Sequence, residues 1–582
     1  MCGTDWLSRI EFFENVRQEY EKMIKEPSTM SNNSSAILLD LRKKFPNIFD
    51  GSHYPKLVIA IDNAEELKWH FNAEHSWSDV VCDIVSRYSL AFRESVWVVF
   101  SSRDQAVAEY NIGYVPYIRS SLRIAVPGND IYPPFTLLGW DQFAPPYGTY
   151  PTRDVAKLRH LVQFGRPLWK HLMTECGTYS ALLEKSTSYM LRSTGSFDPT
   201  NHVQALALLS QRFCIQMTSA HPLANHFIAA TVSQHLCTCI ERADNGTWIH
   251  GAYPSEPFLS HVVASILHRP GEDDALLRSL EILLRYASSR VIVAEPHGDL
   301  VSRLLWMLCK DFLVRDLSMS QISSDQTLDI ELPFCKMLPL AALLESMFGS
   351  RMWPRGSPGN AAKDALKNAY VNMSHWARVG EDTARSPEKR SRRALRLWAR
   401  TAGAQCHLQQ VPVRQIVPIW YDAPEASATL KGTASSTDSP YMGHILICSR
   451  ISEDPTPSSL FDSVTPERYG LEGNMPYVVI LLDLGCRTTA IHSAFESNLN
   501  APRLTIHATG MCRETFPFLD RLDRLEQLMK DITELQTVSR PPISFVDDLN
   551  DSLLFGSTVE SSHMNWERQG YTYDPHGVVV SI

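Results

Sequence analysis

The chain's most constraining stretch is Leu57 to Ile61, five apolar residues that run unbroken from Lys56 into Asp62 and Asn63. A continuous apolar run bounded by polar residues predicts a strand buried on both faces, as in a parallel sheet covered by helices. Asp62 then falls at the strand's carboxyl end, where open α/β sheets place their ligands. A buried strand ending in an acid is also common on structural grounds alone, so the neighbouring strands have to discriminate.

Two later stretches do so. Val96 to Phe100 predicts a second buried strand, which ends in Ser101, Ser102, Arg103 and Asp104, and Gly165-Arg166-Pro167-Leu168 closes a helical segment farther on. The order of acidic strand, hydroxyl-and-arginine strand and Gly-x-Pro-Leu turn resembles the second half of a STAND-type NTPase, NB-ARC and NACHT relatives included, over about residues 50 to 175. The resemblance implies that Asp62 is the magnesium ligand; the family usually has Glu at the next position, where this chain has Asn63, which leaves Glu65 or Glu66 as the substitute acid. It implies that Ser101, Ser102 and Arg103 sense the γ-phosphate, and that Gly165 and Pro167 border the adenine. A phosphate cradle needs glycines, because backbone amides must close around the phosphates. Between residues 1 and 55 the only glycines are Gly3 and Gly51, and no Gly-Lys pair occurs in the chain. The expectation is a truncated or decayed relative. No cofactor is expected, and Mg-ATP only where a P-loop is supplied in trans.

A length of 582 residues allows two to four domains. The net charge of −9 speaks against global nucleic-acid binding, so any basic contact has to be local. No apolar run approaches a bilayer span, and Met1 to Trp6 lacks a basic-then-apolar leader. An intracellular protein, cytoplasmic or nuclear and without membrane contact, is expected. The 12 cysteines are scattered in apolar contexts, and the lone Cys237-x-Cys239 has no second pair, so free thiols are expected and no metal.

Along the chain, residues 1–50 read as polar helices and 51–150 as the partial α/β NTPase sheet. Residues 151–400 read as all helical, with i, i+3, i+4 apolar spacing over His202–Met217, Ala220–Ala243, Pro257–His268, Asp274–Ser288 and Gly298–Leu317. Ser255-Glu256-Pro257 is a helix start; a catalytic reading of Ser255 has no partner histidine in view. Between Arg385 and Arg400, Lys389, Arg390, Arg392 and Arg393 form a basic run that reads as a solvated helix start, or as a nuclear-targeting or nucleic-acid contact. Residues 401–536 read as an α+β domain, with strands at Val413–Trp420, His444–Cys448, Tyr477–Leu484 and Leu504–Ala508 and a leucine stripe from Leu519 to Leu535. Residues 537–582 read as a tail with a last strand at Val578–Val580.

Phe135-Thr136-x-Leu138-Gly139-x-Asp141, Phe164 to Trp169, Ser255-Glu256-Pro257, Gly298-Asp299-Leu300-Val301-x-Arg303-Leu304-Leu305 and the strands near 416 and 446 together resemble large fungal proteins of the Crinkler-like type. There a STAND-like ATPase, a helical region and a PD-(D/E)XK nuclease-like domain follow one another. The resemblance implies an acid on one nuclease strand and Gln/Glu-x-Lys on the next, since hydrolysis needs a carboxylate-bound magnesium and a lysine. Here Arg414 stands at the acid's place and Cys448-Ser449-Arg450 at that of Gln/Glu-x-Lys, with Asp422 the only near acid. The expected function is therefore an uncatalytic interaction or scaffold protein with an unidentified protein partner and weak nucleic-acid contact. The alternative is a working ATP-dependent NTPase or nuclease-type effector, completed by a missing N-terminal segment or a partner chain.

Overall fold

The computed structural model describes residues 57–68, 81, 96–102 and 140–145, then 152–535 with short internal gaps (the longest 319–327, 380–392 and 423–441), and the strand residues 571–572 and 580–581. The chain forms two compact units, Met1–Pro134 with Glu567–Ile582, and Phe135–Trp566.

In the first unit, β1 (Leu57–Ile61) and β2 (Val96–Phe100) pair in parallel, with Ile59 directly opposite Val98. Ser101 N–H donates to the Ile61 carbonyl at 2.8 Å, and Ala64 N–H donates to the Ser101 carbonyl at 3.0 Å. The expected burial on both faces is not found: Val58 is 53% exposed and Val99 45%. An apolar run predicts a strand from its residue types, but burial needs layers above and below, and those are not encoded in the run itself.

The second unit begins with helices. They are α1 (Leu158–Leu161), α2 (Leu168–Glu175), α3 (Tyr179–Leu191), α4 (His202–Phe213) and α5 (Pro222–Gln234). Asn201 caps α4, its Oδ1 accepting the Val203 and Gln204 amides at 3.1 Å each. The helix stops at Cys214, in the left-handed region, and not at Met217. The helix expected over Ala220–Ala243 ends at Gln234. Leu236 turns with φ +61, and β3 (Thr238–Arg242) pairs antiparallel with β4 (Ile249–Ala252). Next come α6 (Pro257–Leu267), α7 (Asp273–Ser288) and α8 (Asp299–Ser318). The first of these starts with Pro257 at its first position, where a missing N–H costs nothing.

The sheet is mixed. Its strands are β5 (Leu338–Pro339), β6 (Ala369–Val371), β7 (His375–Arg378), β8 (Ala402–Gln405), β9 (Gln415–Tyr421), β10 (Met442–Arg450), β11 (Tyr477–Asp483), β12 (Ala490–Glu496) and β13 (Arg503–Thr509). The main order is β12-β13-β11-β10-β9-β6-β5, with β8 branching from β9 and β7 from β8. β10, β11 and β13 run parallel, while β9 and β12 flank them antiparallel. Between strands lie α9 (Leu340–Phe348), α10 (Ser357–Ala365) and α11 (Arg393–Ala399); α12 (Leu525–Thr533) comes last. The leucine stripe does not form one helix from Leu519: a 3-10 turn covers Pro517–Arg521, and Arg524 at φ +72 separates it from α12.

Alternation splits the central strands between two cores. Ile445, Ile447, Val478, Ile480, Leu504 and Ile506 face the helices. Leu446, Cys448, Val479 and Leu481 face a smaller cluster with Val464, Leu471 and Ile416. The first core is continuous from Ala156 to Ile532. The boundary drawn at residue 400 therefore falls inside one sheet: β6 pairs with β9, and β7 with β8. The all-helical reading of 151–400 is corrected by β3 to β7. Helical periodicity identifies long helices well but passes over two- to five-residue strands that exist only through distant pairing. Among the described residues no helix is long and apolar enough to cross a membrane. At the chain end, Val580–Ser581 pairs with Tyr571–Thr572.

Candidate functional site

Three polar centres contain most of the described residues singled out by sequence. The first lies at the carboxyl ends of β1 and β2. Asp62 and Asn63 are exposed, and Asp62 Oδ1 accepts the Asn63 amide at 2.9 Å, a contact that holds Asn63 at φ +52. Ser102 Oγ donates to Glu65 Oε2 across the pair. The strand register thus brings Asp62, Asn63, Glu65, Ser101 and Ser102 to one end of one strand pair. Arg103 lies outside the described residues. Gly165 and Pro167 belong to the second unit.

The second centre is where those two residues are found. Gly165 adopts φ +85, and a Cβ there would meet Glu256 Cγ at 2.3 Å, so only glycine fits. Glu256, fully buried, accepts the Arg166 amide at 2.8 Å, Arg166 Nε at 2.9 Å and Trp169 Nε1 at 2.8 Å. Arg166 Nη2 adds an ion pair at 2.8 Å. Trp169 is buried completely. Gly165 N–H donates to Asp141 Oδ1 at 2.7 Å, Asp141 N–H returns a bond to the Gly165 carbonyl at 3.0 Å, and Asp141 also pairs with Arg400. Gly165 therefore packs directly against Glu256 in the protein interior, and Pro167 is the residue that precedes α2. Ser255 does have a histidine partner: its Oγ meets His375 Nε2 at 2.8 Å, while Ser374 Oγ lies 3.1 Å from His375 Nδ1. Burial, with Arg212 and Lys310 nearby, pulls the His375 pKa down to about 3, so its ring is neutral where it meets Ser255 and Ser374.

The third centre lies at the carboxyl end of the parallel strands, against the start of α8. Arg414 is 1% exposed and donates Nε and Nη2 to Asp299 Oδ2 at 2.9 and 2.7 Å. Ser449 Oγ donates to Asp299 Oδ1 at 2.7 Å, and Gln415 Nε2 donates to the Asp299 carbonyl at 2.9 Å. One turn on, Arg303 binds Glu295 Oε2 at 2.6 Å, and Arg378 binds its Oε1 at 2.7 Å. Burial would raise the Glu295 pKa, but the two guanidinium groups outweigh it and hold the carboxyl low. Cys448 faces the opposite core, where burial pushes its thiol up to about 12. Arg450 Nη1 donates to Thr456 Oγ1 at 2.7 Å.

Asp422 does not join this centre. Arg414 precedes β9 and Asp422 follows it. Eight residue steps of extended chain separate them by roughly 26 Å. Cys448 and Arg450 lie at the Arg414 end, because Ile447 pairs with Gln415. Asp422 instead pairs with the exposed Arg153 at 2.8 Å. Of the basic run, Lys389, Arg390 and Arg392 lie outside the described residues. Arg393 and Arg400 are buried, which corrects the solvated reading at those two positions.

The sequence reading passed over Asp483, the last residue of β11. It is fully buried and accepts Thr456 N–H at 2.6 Å, Thr456 Oγ1 at 2.7 Å and His507 Nε2 at 2.8 Å. Burial opposes ionisation there, but these donors prevail and keep its pKa below the ordinary carboxylate value. The strand-end rule applied to Asp62 would have found it. No group of three or more histidine, cysteine, aspartate or glutamate side chains suited to a metal ion occurs among the described residues. No family model, curated protein or solved structure matches the chain.

Proposed function

We propose that this chain is a non-hydrolytic interaction or scaffold protein of the Crinkler-like type, cytoplasmic or nuclear. Its N-terminal strand pair would be the remnant of a STAND-like sheet, and its mixed sheet a nuclease-like domain turned to structural use. One observation carries the reading. Arg414, at the position where the resemblance calls for a metal-binding carboxylate, is a buried cation committed to Asp299. A guanidinium in that place repels magnesium, and Asp299 spends its oxygens on Arg414 and Ser449. The partner is a protein, with any nucleic-acid contact weak and salt-sensitive. The test is to incubate the purified full chain with plasmid DNA or RNA and magnesium. Intact nucleic acid is expected. Cleavage that disappears in Asp422→Ala, or in Asp483→Ala, would overturn the reading.

A second reading, nucleotide binding completed by a P-loop from another chain, is favoured by the Ser102–Glu65 contact beside Asp62 at adjacent parallel strand ends. Calorimetry with Mg-ATP, run on the chain alone and with a P-loop-bearing partner, separates the two. The first reading expects binding no better than weak in both; micromolar binding in either, abolished by Asp62→Ala, supports a nucleotide site at this strand pair.

A further inference from the structure

We propose that His492 and His507 form a binding site for a divalent transition-metal ion of the zinc class, with Asp483 holding the second imidazole in place. The two histidines stand directly opposite each other on the antiparallel strands β12 and β13. Opposed residues of such a pair send their side chains to the same face, with Cβ atoms about 4.5–5.5 Å apart. Two imidazoles bridge that span around one ion, each with a metal–nitrogen bond of about 2.0–2.1 Å. Their face is the one turned away from the main core, since Ile491, Phe495, Ile506 and Ala508 pack on the other side. His492 is exposed and β12 is the outermost strand at its end of the sheet, so an ion reaches the pair from solvent.

What separates this pair from two surface histidines is the carboxylate behind one of them. His507 Nε2 lies 2.8 Å from Asp483 Oδ2, on β11, which is the neighbour of β13 on the side away from β12. An ionised carboxylate only accepts, so Nε2 carries the hydrogen and Nδ1 of the neutral ring keeps its lone pair. The two nitrogens of an imidazole point in widely divergent directions. A ring with Nε2 turned to β11 therefore presents Nδ1 away from it, and among the described residues no hydrogen bond occupies Nδ1. The ring is 12% exposed and sits edge-on to Phe461, with centroids 6.0 Å apart. Asp483 is itself fixed by Thr456, through N–H at 2.6 Å and Oγ1 at 2.7 Å. A carboxylate bonded to the far nitrogen of a ligating histidine sets its tautomer and orientation and raises its basicity. The oxygens of Asp483 are taken by Thr456 and His507, so it acts behind the ligand and not as one. The cation in register with Asp483, Arg450, lies on β10, on the opposite side of β11, and is bonded to Thr456. An ion held by two imidazoles keeps its other positions for water or for a donor from another chain.

Calorimetric titration of the full chain with zinc chloride tests the site. His492→Ala and His507→Ala should each weaken zinc binding, and Asp483→Asn should weaken it by about 10–100-fold, the usual effect of losing a partner of a metal-bound histidine. Bound zinc should also shield His492 and His507 from diethyl pyrocarbonate, mapped by mass spectrometry, while the exposed His226 reacts at its metal-free rate. His492→Ala changes an exposed side chain on an edge strand, so it carries the test even where Asp483→Asn fails to fold. No zinc binding by the wild-type chain, or affinity unchanged in both histidine variants, would overturn the proposal. So would equal carbethoxylation of His492 and His507 with and without zinc. Wild-type affinity in a folded Asp483→Asn would overturn the part given to Asp483.

Discussion

Arg414 and Asp299 form a buried, two-donor ion pair that joins the start of β9 to the first residue of α8, with both side chains at most 1% exposed. Removing one partner strands the other in a low-dielectric interior. Arg414→Met should destabilise the protein by about 3–5 kcal/mol. The double variant Arg414→Met/Asp299→Leu should lose less than the sum of the two single changes. Urea unfolding of the four proteins measures this, and additive losses would mean that the pair is uncoupled.

Glycine 165 and Asp62 make opposite predictions, although both were picked out for one nucleotide site. Gly165→Ala pushes a Cβ against Glu256 at φ +85 and should cost about 2–4 kcal/mol. Asp62→Ala touches an exposed side chain that, among the described residues, accepts its neighbour's amide, and should stay within about 0.5 kcal/mol. Thermal melts of the two variants side by side provide the check.

Acid should weaken the fold before its carboxylates begin to protonate. His375 and His261 are both held near 3 by burial, followed by nearby Arg212 and Lys310. Their folded values lie below the ordinary 6.5, so the unfolded chain binds protons that the native state excludes. This stability is complete above about pH 6.5 and declines as pH falls from there toward the folded values. Urea midpoints should drop between pH 6.5 and 4.5, and His375→Gln should flatten that slope. A midpoint independent of pH over this window would contradict the burial.

Cys406 and Cys448 share the smaller core, and burial pushes each thiol up to about 12. Thiolate is the reactive form. Neither residue should be alkylated in the native protein at pH 8, and both should react once urea unfolds it. Mass-spectrometric mapping after an iodoacetamide pulse reads the outcome; native labelling of Cys448 would place it at an accessible site.

The local elements were legible wherever chemistry along the chain decides them. The strand at Leu57–Ile61 and its parallel neighbour at Val96–Phe100, the proline-started helix at Pro257 and the long helix from Asp299 all follow from apolar spacing and end signals. The motif stretches around Asp141, Gly165, Glu256 and Asp299 stood out in the sequence as well, though not their purpose. Tertiary structure decided that Asp141, Gly165, Glu256 and Arg400 meet in one socket, and that Arg414 neutralises Asp299. It also separated Asp422 from Arg414 by the length of β9, and paired Ser255 with His375. The physical reason is that periodicity and capping act within a few residues, whereas a buried charge is stabilised by whichever partner folding brings to it. The roles of Arg166, Arg414 and Arg400 were therefore set by residues some 90 to 260 positions away.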